Sequence, residues 1–172
     1  MSKKFAMAAL AAVLVASFAP AKAHVTLEQN QAVAGSTYKA VLRVPHGCSG
    51  SPTLRLRVRI PDGVVNVKPM PKAGWELTTV RGPLAQAAAG DHGARITEGV
   101  REIVWTGRLL DEHYDEFVFR GTLPDAPNTT LYIPVVSECE TGADRWIEVP
   151  AAGQTTRDLR YPAPALRLTP RP

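Results

Sequence analysis

The residue with the clearest chemistry is His24, because of what precedes it. Ala21-Lys22-Ala23 places small residues at the two positions a signal peptidase reads. A cut after Ala23 makes His24 the first residue, with a free α-amine beside its own imidazole. The amine and ring Nδ1 can then close one chelate ring around a metal. An α-amine has an ordinary pKa of about 8, so it yields its proton to a metal far more readily than a lysine does. Two nitrogens supplemented by an oxygen suit Cu(II), which also heads the affinity order of the divalent metals. A cut one residue away removes the chelate.

Other residues offer weaker chemistry. Cys48 and Cys139 form an isolated pair. In an oxidising compartment such a pair reads as a disulfide, and a loop of this length gives roughly 4–5 kcal/mol as an upper figure. The alternative is a thiolate metal site with His46, two residues before Cys48, a soft set suited to Cu(I). His46, His92 and His113 fall in expected loops, where a histidine is ordinarily only solvated. In 144–149, strand alternation puts Ile147 and Val149 on one face and Trp146 on the other with Asp144 and Glu148. With the aliphatic pair inward, Trp146 would face outward between two carboxylates, either marking a site or packing under the C-terminal tail. Glu116 would likewise face away from Phe117 and Phe119, as solvated carboxylates do.

The ends and the composition set the compartment. Lys3 and Lys4 precede an uncharged apolar run over residues 5–18, which is short for a spanning helix of about 20 residues. The three-part layout is that of a secretory signal peptide over 1–23, and the expected location is the periplasm. Removing its three lysines leaves 17 basic against 16 acidic residues, so the net charge falls from +4 to +1. That near balance argues against a nucleic-acid partner. No later apolar run is long enough for a membrane anchor. Gly-rich phosphate loops, a GxSxG elbow and an HExxH pair are missing from the sequence, so no enzyme is expected.

The elements that must position these residues read as strands. Leu54, Leu56, Val58 and Ile60 alternate with Arg55, Arg57 and Arg59. Tyr38, Ala40, Leu42 and Val44 alternate with Lys39, Val41 and Arg43, and Phe117 and Phe119 with Glu116, Val118 and Arg120. Further strands are expected over 64–67, 75–80, 100–105, 131–136 and 145–149, separated by Pro and Gly turns. The best helical piece is a short Ala-rich stretch over 84–89. The pattern predicts one all-β domain over 24–153, an antiparallel β-sandwich of immunoglobulin or fibronectin-III type. The Pro-rich tail, 154–172, is expected to form no regular ladder.

Several strings, taken in order, resemble one family. They are Ala23-His24-Val25-Thr26-Leu27-Glu28, Val44-Pro45-His46-Gly47-Cys48, Lys68-Pro69-Met70-Pro71-Lys72-Ala73-Gly74-Trp75, Ile103-Val104-Trp105-Thr106-Gly107, Tyr114-Asp115-Glu116-Phe117-Val118-Phe119, and Glu138-Cys139-Glu140 through Arg145-Trp146-Ile147-Glu148. Together they are similar to the YcnI-like proteins, a bacterial copper-associated domain family of unknown precise role. The resemblance implies a compact β-sandwich holding one Cu(II) in a monohistidine brace at His24, with Trp146 beside the metal. It also implies a carboxylate ligand: Glu148 first, because it shares a strand face with Trp146, then Glu116 and Glu138. A periplasmic copper chaperone or copper importer is the implied partner, and copper trafficking or homeostasis the implied role. Two other readings stay open. One is a metal-free adhesion or carbohydrate-binding module using the Trp146 face. The other is a copper-dependent oxidative enzyme, which needs a second histidine ligand from His46, His92 or His113.

Overall fold

The computed structural model describes residues 24–89 and 95–172. The expected signal peptide and His92 lie outside them. The alternating segments become strands of three sheets. One is four-stranded, in the order β1 (Thr26–Leu27), β3 (Thr37–Val44), β8 (Asp115–Thr122), β5 (Val65–Pro69). The second is five-stranded: β11 (Ala143–Trp146), β10 (Val135–Cys139), β4 (Thr53–Arg59), β7 (Arg95–Leu109), β6 (Glu76–Ala89). The third joins β2 (Gln31–Val33), β12 (Ala165–Thr169) and β9 (Thr130–Tyr132). All pairs are antiparallel except β2 with β12. The expected all-β sandwich is the observed architecture.

The core lies between the two larger sheets and follows the period-two pattern. Leu56, Val58 and Ile60 are buried while Arg55, Arg57 and Arg59 are exposed. Tyr38, Ala40, Leu42 and Val44 face Phe117 and Phe119 in the same cluster. At its centre Trp105 meets the Phe117 ring edge-on at 5.5 Å and donates its indole N–H to the Met70 carbonyl. Trp75 stacks over Gly107, where any Cβ would stand 2.4 Å from the indole. Glycine there leaves room for a second aromatic edge on Phe117, at 4.8 Å.

Three expectations are corrected. The Ala-rich stretch 84–89 is the end of β6, not a helix, because pairing with β7 (Ala88 opposite Ile96) overrides a local preference worth tenths of a kcal/mol per residue. The tail does form a ladder: Pro164 and Pro170 flank β12 without entering it, and Leu166 and Leu168 are fully buried. A missing N–H interrupts pairing only at its own position, so five residues between prolines suffice for a strand. Lastly, the face of β11 is inverted. Trp146 sits opposite Val135, itself opposite Val58, so the indole points inward at 3% exposure. Ile147 and Val149 are the exposed ones, at 42% and 53%.

Cys48 and Cys139 are joined as a disulfide at a sequence separation of 91. The crosslink ties the loop after β3 to the end of β10, which settles the two open readings of the pair against a thiolate site. Among the described residues no helix is long and apolar enough to cross a membrane.

Candidate functional site

His24 is held by the short strand that follows it. Val25 and Leu27 are buried, and β1 pairs with β3 (Thr26 opposite Arg43, Leu27 opposite Leu42). The Glu28 amide donates to the Val41 carbonyl, and its carboxylate meets Arg43 at 3.1 Å. Just beyond, the Tyr38 hydroxyl donates to the Gln29 carbonyl. Burial, together with the Glu28 charge, pushes that phenol up to about 12, so it remains a donor at neutral pH.

So anchored, the His24 ring lies edge-on to Trp146, with ring centroids 5.2 Å apart. Trp146 also meets Tyr161, again at 5.2 Å. An open cavity of about 280 Å³ adjoins His24, walled by β1, by Asn30, Thr156 and Arg157, and by the backbone around Pro162–Ala165. The wall on the tail side is fixed by Glu148. Its amide donates to the Tyr161 carbonyl, its carbonyl accepts from the Ala163 amide, and its Oε2 accepts from the Tyr161 amide at 2.7 Å. Glu148 therefore reaches the His24 neighbourhood through Tyr161, and its second carboxylate oxygen has no hydrogen-bond partner among the described residues.

The remaining sequence candidates are placed elsewhere on the sheets. Glu116 lies on the outer face of the four-stranded sheet, where Arg43 bridges it (3.4 Å) to Glu28. Glu138 lies on the outer face of the five-stranded sheet, held by Arg55 at 2.9 Å and Arg57 at 3.2 Å. Burial alone would raise its pKa; the two guanidinium groups outweigh that and hold it below the usual carboxylate range. His46 bonds through Nδ1 to the Gly47 carbonyl, and His113 is exposed beside Glu112.

The His24 imidazole, beside open space, is a donor that fits a copper ion in kind, and Glu148 is the sequence candidate tied to the neighbouring Tyr161. Among the described residues no three His, Cys, Asp or Glu side chains come together. A mononuclear centre at His24 therefore needs a donor beyond side chains, and the α-amine of a chain starting at His24 supplies one. Sequence reasoning missed Tyr161, which packs on Trp146, and the cavity wall formed by the residues just after it, Pro162–Ala165. The only signal was an aromatic in a tail read as irregular.

Comparison with known proteins adds the following. No curated protein matches the chain. A solved structure, an uncharacterized protein from Nocardia farcinica described as having an immunoglobulin-like fold, superposes with a TM-score of 0.60 at 23% identity. The match covers 85% of this chain and 98% of that one, and it concerns the fold. A family model described as a domain of unknown function (DUF1775) matches residues 24–168, from His24 through all but the last residue of β12. The chain therefore belongs to the DUF1775 family, the YcnI-like domain.

Proposed function

We propose that this chain is an exported copper-binding protein that captures one Cu(II) at a processed N-terminus and passes it on. The observation that carries the reading is the packing of His24 on the buried Trp146 beside an open cavity. Release of residues 1–23 would free an amine at that same point. The amine and imidazole of His24 would hold the ion, with Glu148, tied to the backbone of Tyr161, as the carboxylate to join them. Trp146 restricts the ring from one side. A cargo gripped at one edge stays reachable, which suits exchange with a periplasmic copper chaperone or importer rather than catalysis.

A glycan-binding role through an outward Trp146 loses its footing, because that indole is buried between His24 and Tyr161. An oxidative enzyme would need a second imidazole at His24. His46 is instead bonded at Gly47, and His113 lies beside Glu112.

The test is titration of protein starting at His24 with Cu(II), read by electron paramagnetic resonance. One equivalent should bind with nitrogen couplings. A version with one extra residue before His24 should bind at least a hundredfold more weakly. Equal binding by the two proteins overturns the reading. N-terminal sequencing of the exported protein tests the cut itself.

A further inference from the structure

We propose that the outer face of the four-stranded sheet carries a binding site for a phosphate group, built on Lys39, Arg120 and Lys68. These three residues stand in one row across the strands: Lys39 is directly opposite Arg120, and Lys68 is directly opposite Arg120 on its other side. All three are exposed. Side chains directly opposite share a face, and strands are about 4.8 Å apart, so three positive charges lie within about 10 Å. Like charges so placed repel and weaken the sheet. None of the three has an ion pair or hydrogen bond among the described residues. Charged rows elsewhere are built the other way. On the same sheet Arg43 faces Glu116 and also meets Glu28, and on the five-stranded sheet Arg57 holds Glu102 and Glu138. A row that costs stability and lacks a partner is explained by an anion that binds there.

The local shape suits that ligand. Lys68 and Arg120 line a cavity of about 160 Å³ with Thr37, Asn66 and Thr122. A register shift in β5 between Val65 and Lys68 bends this edge strand beside the cavity, and such bulges re-aim side chains. Asn66 sits within the bulge at φ +53°, a left-handed conformation that asparagine tolerates better than most residues. Its Nδ2 donates to the Thr122 Oγ1 at 3.5 Å, which leaves the Thr122 hydroxyl hydrogen to be given to a ligand. A planar guanidinium fork, two ammonium groups and hydroxyl donors match a phosphate's oxygens. Because β5 is a sheet edge, a phosphate on a larger molecule can enter from the side. Free phosphate and a phospholipid headgroup present the same chemistry.

The experiment uses metal-free protein in two arms. In the first, thermal unfolding is followed with excess inorganic phosphate against chloride at equal ionic strength. Phosphate should raise the Tm by roughly 3–5 °C at tenfold excess over Kd. Lys68→Gln and Arg120→Gln should lose that rise while keeping an unliganded Tm at or above that of the wild type, since repulsion is removed. In the second arm, co-sedimentation compares phosphatidylglycerol with phosphatidylcholine vesicles. Lys68-dependent binding to the former identifies a headgroup as the source, and a thermal shift without vesicle binding identifies free phosphate. Lys68→Gln retains the fold if Arg120→Gln does not, because Lys68 is exposed on an edge strand. If neither probe binds, or if both act equally on wild type and Lys68→Gln, the proposal is wrong.

Discussion

Trp105 and Trp146 are both buried, at 0% and 3% exposure, yet their surroundings are opposite in kind. Trp105 sits in the middle of β7, with Leu56 opposite on one side and Leu77 on the other. Its burial comes from paired strands. Trp146 ends the edge strand β11, with Val135 opposite on one side only. Two chain segments outside the ladder, His24 at the start of the described chain and Tyr161 in the tail, also pack on it. Equal burial thus has two origins. Where ladders enclose a ring, the neighbours are fixed by many hydrogen bonds. Where chain segments enclose it, the neighbours can carry chemistry.

The largest expected effect tests that division at the His24 side. His24→Ala in protein starting at residue 24 should abolish Cu(II) binding in a competitive titration while lowering the Tm by only about 1–5 °C, the loss of one edge contact on Trp146. A large Tm loss would make His24 a structural residue. Trp105→Ala should do the reverse, lowering stability by about 3–5 kcal/mol in denaturant melts without altering copper affinity in the folded fraction. Trp146→Phe lies between. It keeps an aromatic under Tyr161, so stability should fall little, but it changes the surface against the metal-holding ring. Copper affinity should drop about 10–100-fold, as for residues that orient a ligand. If Trp105→Phe weakens copper as much, the two tryptophans do not differ as argued. Serine at both Cys48 and Cys139 should cost about 2–4 kcal/mol, read in the same melts with and without reductant.

The same division explains what the sequence made legible. Strand middles announce themselves, since Leu56 to Ile60 and Phe117 to Phe119 alternate cleanly and land where alternation puts them, whereas Leu54, at a register shift, is only half-buried beside a buried Thr53. Edges do not. The face of β11 depends on its register with Val135, a long-range fact that no local pattern contains. Reading Ile147 and Val149 as inward was reasonable from hydrophobicity, but the register gives the interior to the larger Trp146. In the tail the prolines mask a short strand signal, Leu166 and Leu168 alternating with Arg167 between them, and Tyr161 sits outside any such signal. His24 stands out as a candidate from position alone.

The smallest expected effect separates the carboxylates. The family resemblance implies Glu138 and Glu148 as candidate ligands, but Glu138 lies between Arg55 and Arg57 and Glu148 is tied to the backbone at Tyr161. Glu138→Gln should leave copper affinity unchanged, whereas Glu148→Gln should weaken it. Because Glu138 is partly exposed, screening limits its stabilising contribution to about 0.2–1 kcal/mol at pH 7. Its folded pKa is depressed, so the sign is fixed. The contribution is complete above the unfolded value of about 4.3 and is lost as pH falls through the lower folded value. Denaturant melts of wild type and Glu138→Gln should therefore differ slightly at pH 7 and converge at acid pH. A gap that stays constant below pH 3 would mean that the two arginines do not hold this carboxylate as a charged partner.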